Sequence, residues 1–599
     1  MEPRSKSVFR SRNGLALTTL VNPRYLREMP FDHALRRRLR AAQGIDPCEL
    51  VLRNVRWLDV FQCEFVSGDI AVMDGVIVGV DEGLRGAREI DARGAHLVPG
   101  FIDAHVHLES SLLVPESFQR AVLPRGTTTA VCDPHELANV LGVSGIQYFL
   151  DAAERLHGPG KRGLELRVMV SSCVPATEFE TNGGGILDAR TLTPLLQHPK
   201  TLGLAEVMNV PGVLSGDPLV LDKLVAFDGR PLDGHAPLVR GQALSAYACA
   251  GISSCHESSE FDEAREKLRK GICVWIREGS VAKDLDALAP LLTLATSTSM
   301  GFCTDDRNPL DIANEGHLDF LLRSAIARGV APEVAYRAAS WSVARHYGLA
   351  DAPLRGERLG AIAPGYRADM VLLDDVDTCA IRDVFVAGVS VGEIDLPAPL
   401  TTTTENTVRA HDPAARDLEG PSGRVHVIVV RPGRILTDRL VTKSDAPGVM
   451  RLSVLERHGR GGKPANGYVF GFGELDGAIA SSVGHDSHNL IVVGNNTDDM
   501  RAALACLADM GGGFCVLRRG EVLASLSLPL GGLMSIDSPE NIARDLRALR
   551  AASISIGCVL PEPFLQLAFL SLPVIPSLKL TDRGLMDVDA FRIIDVRAA

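Results

Sequence analysis

The chain has 599 residues, 46% of them hydrophobic and 23% charged, which excludes a disordered or fibrous protein. The balance of 62 basic against 74 acidic side chains, a net charge of −12, has the wrong sign for a protein whose main partner is a nucleic-acid backbone. Twelve scattered cysteines form no CxxC pair, and neither a signal-peptide core nor an 18-residue apolar run is found, so a soluble cytoplasmic protein with reduced thiols and no membrane partner is expected.

Residues 1–45 read as a polar N-terminal extension with helical character, in which Arg36, Arg37, Arg38 and Arg40 make a solvated face. At 46–95 the pattern changes to short β-like runs, ELVLRNVRWLDV and GDIAVMDGVIVGV, with turn signals at Ser67–Gly68 and Asp74–Gly75. Similar material returns at 356–400, so the two blocks are expected to form one small, discontinuous β-sandwich domain.

Between them, residues 96–355 carry eight short apolar runs separated by helix-like stretches: AHLVPGFIDA, TTTAVCDP, LELRVMVSSCV, TLGLAEVM, RPLDGHAP, AGISSCHE, GICVWIRE and SMGFCTDD. Continuous apolar strands joined by helices indicate a parallel sheet covered on both faces. Eight of them point to an α/β fold, a (β/α)8 TIM-like barrel, with an open doubly wound sheet as the alternative. Residues 401–424 read as a linker, and 425–599, where β-rich and helical runs alternate, as a separate C-terminal α+β domain.

In a parallel barrel the C-terminal ends of the strands converge on one mouth. The first run ends in Asp103-Ala104-His105-Val106-His107, and residues two apart project the same way. The second ends in Asp133-Pro134-His135-Glu136, the third leads into Glu180, and the fourth ends in Glu206. The fifth and sixth end in His235 and His256-Glu257, the seventh in Arg277-Glu278-Gly279-Ser280, and the eighth in Asp305-Asp306. A lone strand-end His or Asp is more often structural. Together, four imidazoles and two carboxylates on one rim form a divalent-metal site with room for two ions. Mixed imidazole and carboxylate ligation suits Zn, Fe(II) or Mn; Cys255 and Cys303 alternate to the opposite face. The glycine runs 183–185 and 511–513 do not match a phosphate loop.

The segment VPGFIDAHVH (98–107) resembles the first-strand signature of the amidohydrolase superfamily, and 360–372 its return into the small β domain. Within it, CDPHELANVLG (132–142), VPATEFET (174–181), AEVMNVPGV (205–213), DGHAP (233–237), CHES (255–258), IREGS (276–280), CTDDR (303–307) and GHDSHNLIVVGNN (484–496) are similar to the bacterial adenine deaminase family. The likeness spans about 49–599. Where some superfamily members carry a carbamylated lysine, this chain has Glu206. The resemblance implies that Glu206 bridges two ions, with His105, His107 and Asp305 at one and His235 and His256 at the other. It implies two ions per chain, Mn(II) or Fe(II), with Zn(II) possible in chemistry.

It further implies hydrolysis of adenine at C6 to hypoxanthine and ammonia, a step of purine salvage, by metal-activated hydroxide. Asp305 would move the proton from the attacking water to the leaving amine; Glu136, Glu180 and His256 are candidates for the group facing N1. Arg277, Glu278 and Ser280 would read the purine, the alternative being an ion pair that pins the loop. His135 would contact the base, and His485, Asp486 and His488 would form a lid over the mouth or hold a structural turn. The expected partner is a small-molecule purine, and the chain is expected to be a homo-oligomer, a dimer. The alternative activity is that of an amidohydrolase acting on a cyclic amide or N-acyl substrate.

Overall fold

The computed structural model describes residues 30–351, 358–400, 406–410 and 412–598. Most of the N-terminal extension and part of the linker therefore lie outside the described residues. The Arg-rich segment forms a helix, Pro30–Ala42. Its arginines stay on an exposed face and also pair with neighbours: Arg37 with Glu49 at 2.8 Å, Arg40 with Asp46 at 2.6 Å, while Arg38 donates to the Asp74 carbonyl. Exposed pairs of this kind contribute little; Ala41, buried among Cys48, Val51 and Met73, is the apolar anchor.

The two β-like blocks join in one eight-stranded sheet. Its long strand, Cys48–Asp59, pairs with Glu64–Met73 on one side and with both Gly86–Asp91 and His96–Pro99 on the other. Union with the returning chain comes from antiparallel pairing of His96–Pro99 with Met370–Asp375. The run AHLVPGFIDA, which reads as a single strand, breaks at Gly100: its first part belongs to this sheet and its second, Phe101–Val106, to the barrel. A Cβ at Gly100 would sit 2.2 Å from Thr128 Oγ1, so only glycine lets the chain pass from one sheet to the other.

The barrel strands are Phe101–Val106, Thr127–Cys132, Glu165–Val170, Thr201–Val207, Leu232–Gly234, Ser254–Cys255, Cys273–Arg277 and Met300–Cys303, parallel and adjacent in chain order. All eight runs are thus strands of one nearly closed sheet. Closure is made at the rim, where Val106 bridges Asp305, the Asp305 N–H donates to His105 O at 3.1 Å, and the His107 N–H donates to Asp305 O at 3.3 Å. Just inside this seam, the Thr304 N–H and hydroxyl both donate to the Asp103 carboxylate.

The C-terminal part holds a third eight-stranded sheet, covered by helices Thr497–Met510 and Pro539–Ser555, and a three-stranded sheet within 578–594. Asn496 and Ser538 cap the two helices through side-chain oxygens. Between strands Ala478–Ser481 and Leu490–Gly494 the chain leaves the sheet and runs to the barrel mouth. Asn489 Nδ2 donates to Thr181 O at 2.8 Å, and the Ser535 N–H donates to Leu112 O at 2.8 Å, fixing the C-terminal part against barrel loops. Among the described residues, no helix is long and apolar enough to cross a membrane.

Candidate metal centre

His105 and His107 end the first barrel strand with side chains on the same face, and their Nε2 atoms lie 3.1 Å apart. Two nitrogens about 2.1 Å from one ion would have this separation. The Asp133 carbonyl, 3.0 Å from His107 Nδ1, fixes that nitrogen as the donor and leaves Nε2 free to ligate. Asp305 Oδ1 faces the same point, 3.2 Å from His107 Nε2 and 3.6 Å from His105 Nε2. Asp305 reaches it with a left-handed backbone, φ 53°, a conformation aspartate tolerates better than most residues.

Glu206 divides its oxygens. Oε1 lies 3.4 Å from both His107 Nε2 and His135 Nδ1, whereas Oε2 lies 2.7 Å from His235 Nδ1 and 3.2 Å from His256 Nε2. The His256 ring stacks on His105 with centroids 3.9 Å apart. Carboxylate oxygens and imidazole nitrogens, all buried and within reach of each other, make at least two overlapping groups able to hold a cation. The electrostatics ask for positive charge. Burial alone would keep His107 and His235 neutral, but Asp305 and Glu206 draw protons onto His107, and Glu206 and Glu257 onto His235, raising both. Divalent ions meet the same demand in place of those protons, and His235 Nε2 is buried without a hydrogen-bond partner. The residues present therefore fit a divalent centre.

A second group faces the first across the mouth. Glu136, at the start of helix His135–Leu141, touches both His485 and His488 from the C-terminal part. His135 Nε2 lies 3.3 Å from Glu136 and 3.6 Å from Asp486. His485 is held flat against Phe569, ring centroids 4.7 Å apart, with its Nε2 buried and unpartnered. Burial opposes ionisation of Glu136, but the surrounding imidazoles of His485, His488 and His135 hold its carboxyl well below the usual range. Conversely, burial opposes charge on His485, yet Glu136 and Asp306 push it up to about 9.

This pair ties the C-terminal part to the barrel, and its sign is testable. A histidine whose folded pKa is raised contributes stability that is fully present below its unfolded value near 6.5 and is lost as pH rises through about 9. The urea midpoint is expected to fall across that window. In His485→Gln the slope there should flatten; an unchanged slope would remove the ion pair from the account.

Of the other residues expected at the site, Arg277 is committed to carboxylates. Its Nε donates to Asp284 at 3.0 Å, its Nη1 to Asp305 Oδ2 at 3.0 Å, and both Nη atoms to Glu257. Its hydrogen bond to Oδ2 orients Asp305. Glu278 accepts the Leu285 N–H and Ser280 Oγ accepts the Asn308 N–H; neither joins the cluster, because the chain turns after Arg277. Glu180 lies beside Asp486, and burial together with that neighbour keeps its carboxyl well above the usual range. Sequence reasoning missed Asp133, Glu257, Asp306 and Phe569 as parts of the site. The first three adjoin assigned residues at strand ends, a signal that was present; Phe569 carries none.

The chain matches the Amidohydrolase family over residues 96–391 and the Adenine deaminase C-terminal domain over 434–592. Among curated proteins, it is 51% identical over 586 residues to an adenine deaminase of Methylobacterium nodulans, covering 94% of this chain and all of the relative. It is 48% identical to adenine deaminase 1 of Rhizobium meliloti, with 94% and 100% covered, and 48% identical to an adenine deaminase of Brucella suis, with 92% and 95% covered.

Proposed function

The chain belongs to the adenine deaminase family of metal-dependent amidohydrolases, and from that premise we propose how its residues hydrolyse adenine at C6 to hypoxanthine and ammonia. The observation that carries the reading is the divided Glu206, one oxygen toward His107 and the other toward His235 and His256. In our reading His105, His107 and Asp305 would hold one ion and His235 and His256 a second, with Glu206 serving both groups. Thiolate-free ligation suits Mn(II) or Fe(II). When bound, the ions lower the pKa of water from about 16 toward 7, so that a nucleophile forms at neutral pH.

The remaining chemistry belongs to side chains. Attack at C6 requires a proton at N1 and another on the exocyclic amine, since an amide anion is a very poor leaving group. Asp305 takes the proton of the attacking water and passes it to the departing nitrogen. Arg277 supports this by anchoring Oδ2 while Oδ1 faces the centre. For N1, His485 is the donor and Glu136 the anion that keeps it charged; His485 Nε2 is buried without a hydrogen-bond partner and lines the metal-facing space. His256 is turned to Glu206, and Glu180 does not line the metal-facing space as His485 does, which favours neither for N1. His135, Asp486 and His488 wall the base, and the closed C-terminal cover keeps bulk water from it.

The twelve cysteines are all free, which suits a reducing cytoplasm, and we assign the chain there. The test is ammonia release by Mn(II)-loaded protein from aminopurines, aminopyrimidines and cyclic imides. Adenine should be turned over with hypoxanthine as product; no ammonia from any aminopurine would end the reading.

A further inference from the structure

The space among the metal-facing side chains is narrow, about 30 Å³, room for about two waters, whereas small-molecule sites start near roughly 300 Å³. A purine cannot reach C6 proximity without displacement of a wall. One wall is shared with a neighbouring cleft of about 350 Å³ that opens between the loop after the seventh barrel strand and the C-terminal part. Glu257, Arg277, Ala282, Ile435 and Ile575 line both spaces.

The shared wall is of two kinds. Glu257 and Arg277 are fixed by charge-assisted hydrogen bonds to one another and cannot be the moving part. Ile575 belongs to an apolar seam in which Val281, from the barrel loop, packs against Phe569 and Leu572, with Ile435 and Leu436 alongside. Such contacts are non-directional, so they can part and re-form with little geometric constraint. The C-terminal side of the seam is held as a unit by Lys579, whose buried ammonium donates at 2.9 Å to the carbonyls of both Ile435 and Phe569. Phe569 in turn stacks on His485, so movement of this wall and access to the proposed N1 donor are mechanically joined.

We propose that the cleft is the entry and exit route of the metal cavity, taking a planar uncharged heteroaromatic base, and that Ala282, Ile435 and Ile575 form its gate. The proposal rests on the adenine-hydrolysis reading for its substrate, but its route is independent of which base travels it. Anything that reaches the ions, a chelator included, must pass the same constriction.

The experiment therefore follows both adenine turnover and the rate of metal extraction by EDTA from holoenzyme. Ala282→Phe, which fills the neck, is expected to lower kcat/KM for adenine at least about tenfold and to slow extraction, with metal content at equilibrium unchanged. Ile575→Ala, which widens the neck, is expected to speed extraction whether or not the first variant folds. Extraction rates equal to wild type in Ile575→Ala, or a folded Ala282→Phe with unchanged extraction and turnover, would overturn the gate. Wild-type protein inactive on adenine, with extraction still responding to the neck, would instead sink the substrate and leave the route standing.

Discussion

If Glu206 is shared as proposed, Glu206→Gln is expected to lower the number of ions bound per chain, and kcat/KM by on the order of 10³. The substitution is nearly isosteric, so the fourth barrel strand and its register are untouched. What changes is charge at the one side chain whose two oxygens face different imidazole groups. The amide presents a donor where Glu206 had an acceptor, and turning it either way sets an N–H against one of the two groups. The neighbouring histidines would then lose much of the carboxylate field that now draws cations to them. Elemental analysis after dialysis, with turnover on the same sample, decides it. Two ions retained at wild-type affinity would show that Glu206 is not shared.

Asp305→Asn tests a different part of the site. Asparagine accepts the left-handed backbone that position 305 requires, so the seam between the first and last strands should stay closed. Burial opposes the charge on Asp305, but hydrogen bonding from His107 and the fields of His256 and Arg277 hold its carboxyl well below the usual range. It is an acceptor ready for a proton. The amide removes that capacity, and kcat is expected to fall about 10² to 10⁴-fold with KM for adenine little moved. A small drop confined to KM would make Asp305 a contact for substrate and nothing more.

Much of this was legible in the chain because the barrel writes its strands as apolar runs and puts its chemistry at their ends. The alternation at 105 and 107, and the carboxylates at 206 and 305, needed only strand geometry to be placed on one rim. Other features depend on contacts between distant segments that no local pattern carries. AHLVPGFIDA reads as one strand because its hydrophobicity is unbroken; the division at Gly100 is imposed by Thr128 from the next strand. Arg277 looks like a group offered to a ligand until Glu257, Asp284 and Asp305 are seen around it. The GHDSHN segment is plainly unusual in sequence, yet its meeting with Glu136 follows from how two separately folded parts dock. Phe569, which sets the His485 ring, lies in an ordinary apolar stretch.

The seam that closes the barrel has a bearing on how the protein matures. Thr304, next to Asp305, bonds to Asp103, 201 positions earlier, so the rim is completed by nearly the last barrel strand to be synthesised. At translation speeds of about 5–20 residues per second, the first strand waits roughly 10–40 s on the ribosome before that partner emerges. During that interval His105 and His107 are a bare imidazole pair with neither Asp305 nor the C-terminal cover. No complete set of the proposed ligands therefore exists before residue 305 has emerged, and the cover over them is made later still, in the C-terminal part of the 599-residue chain.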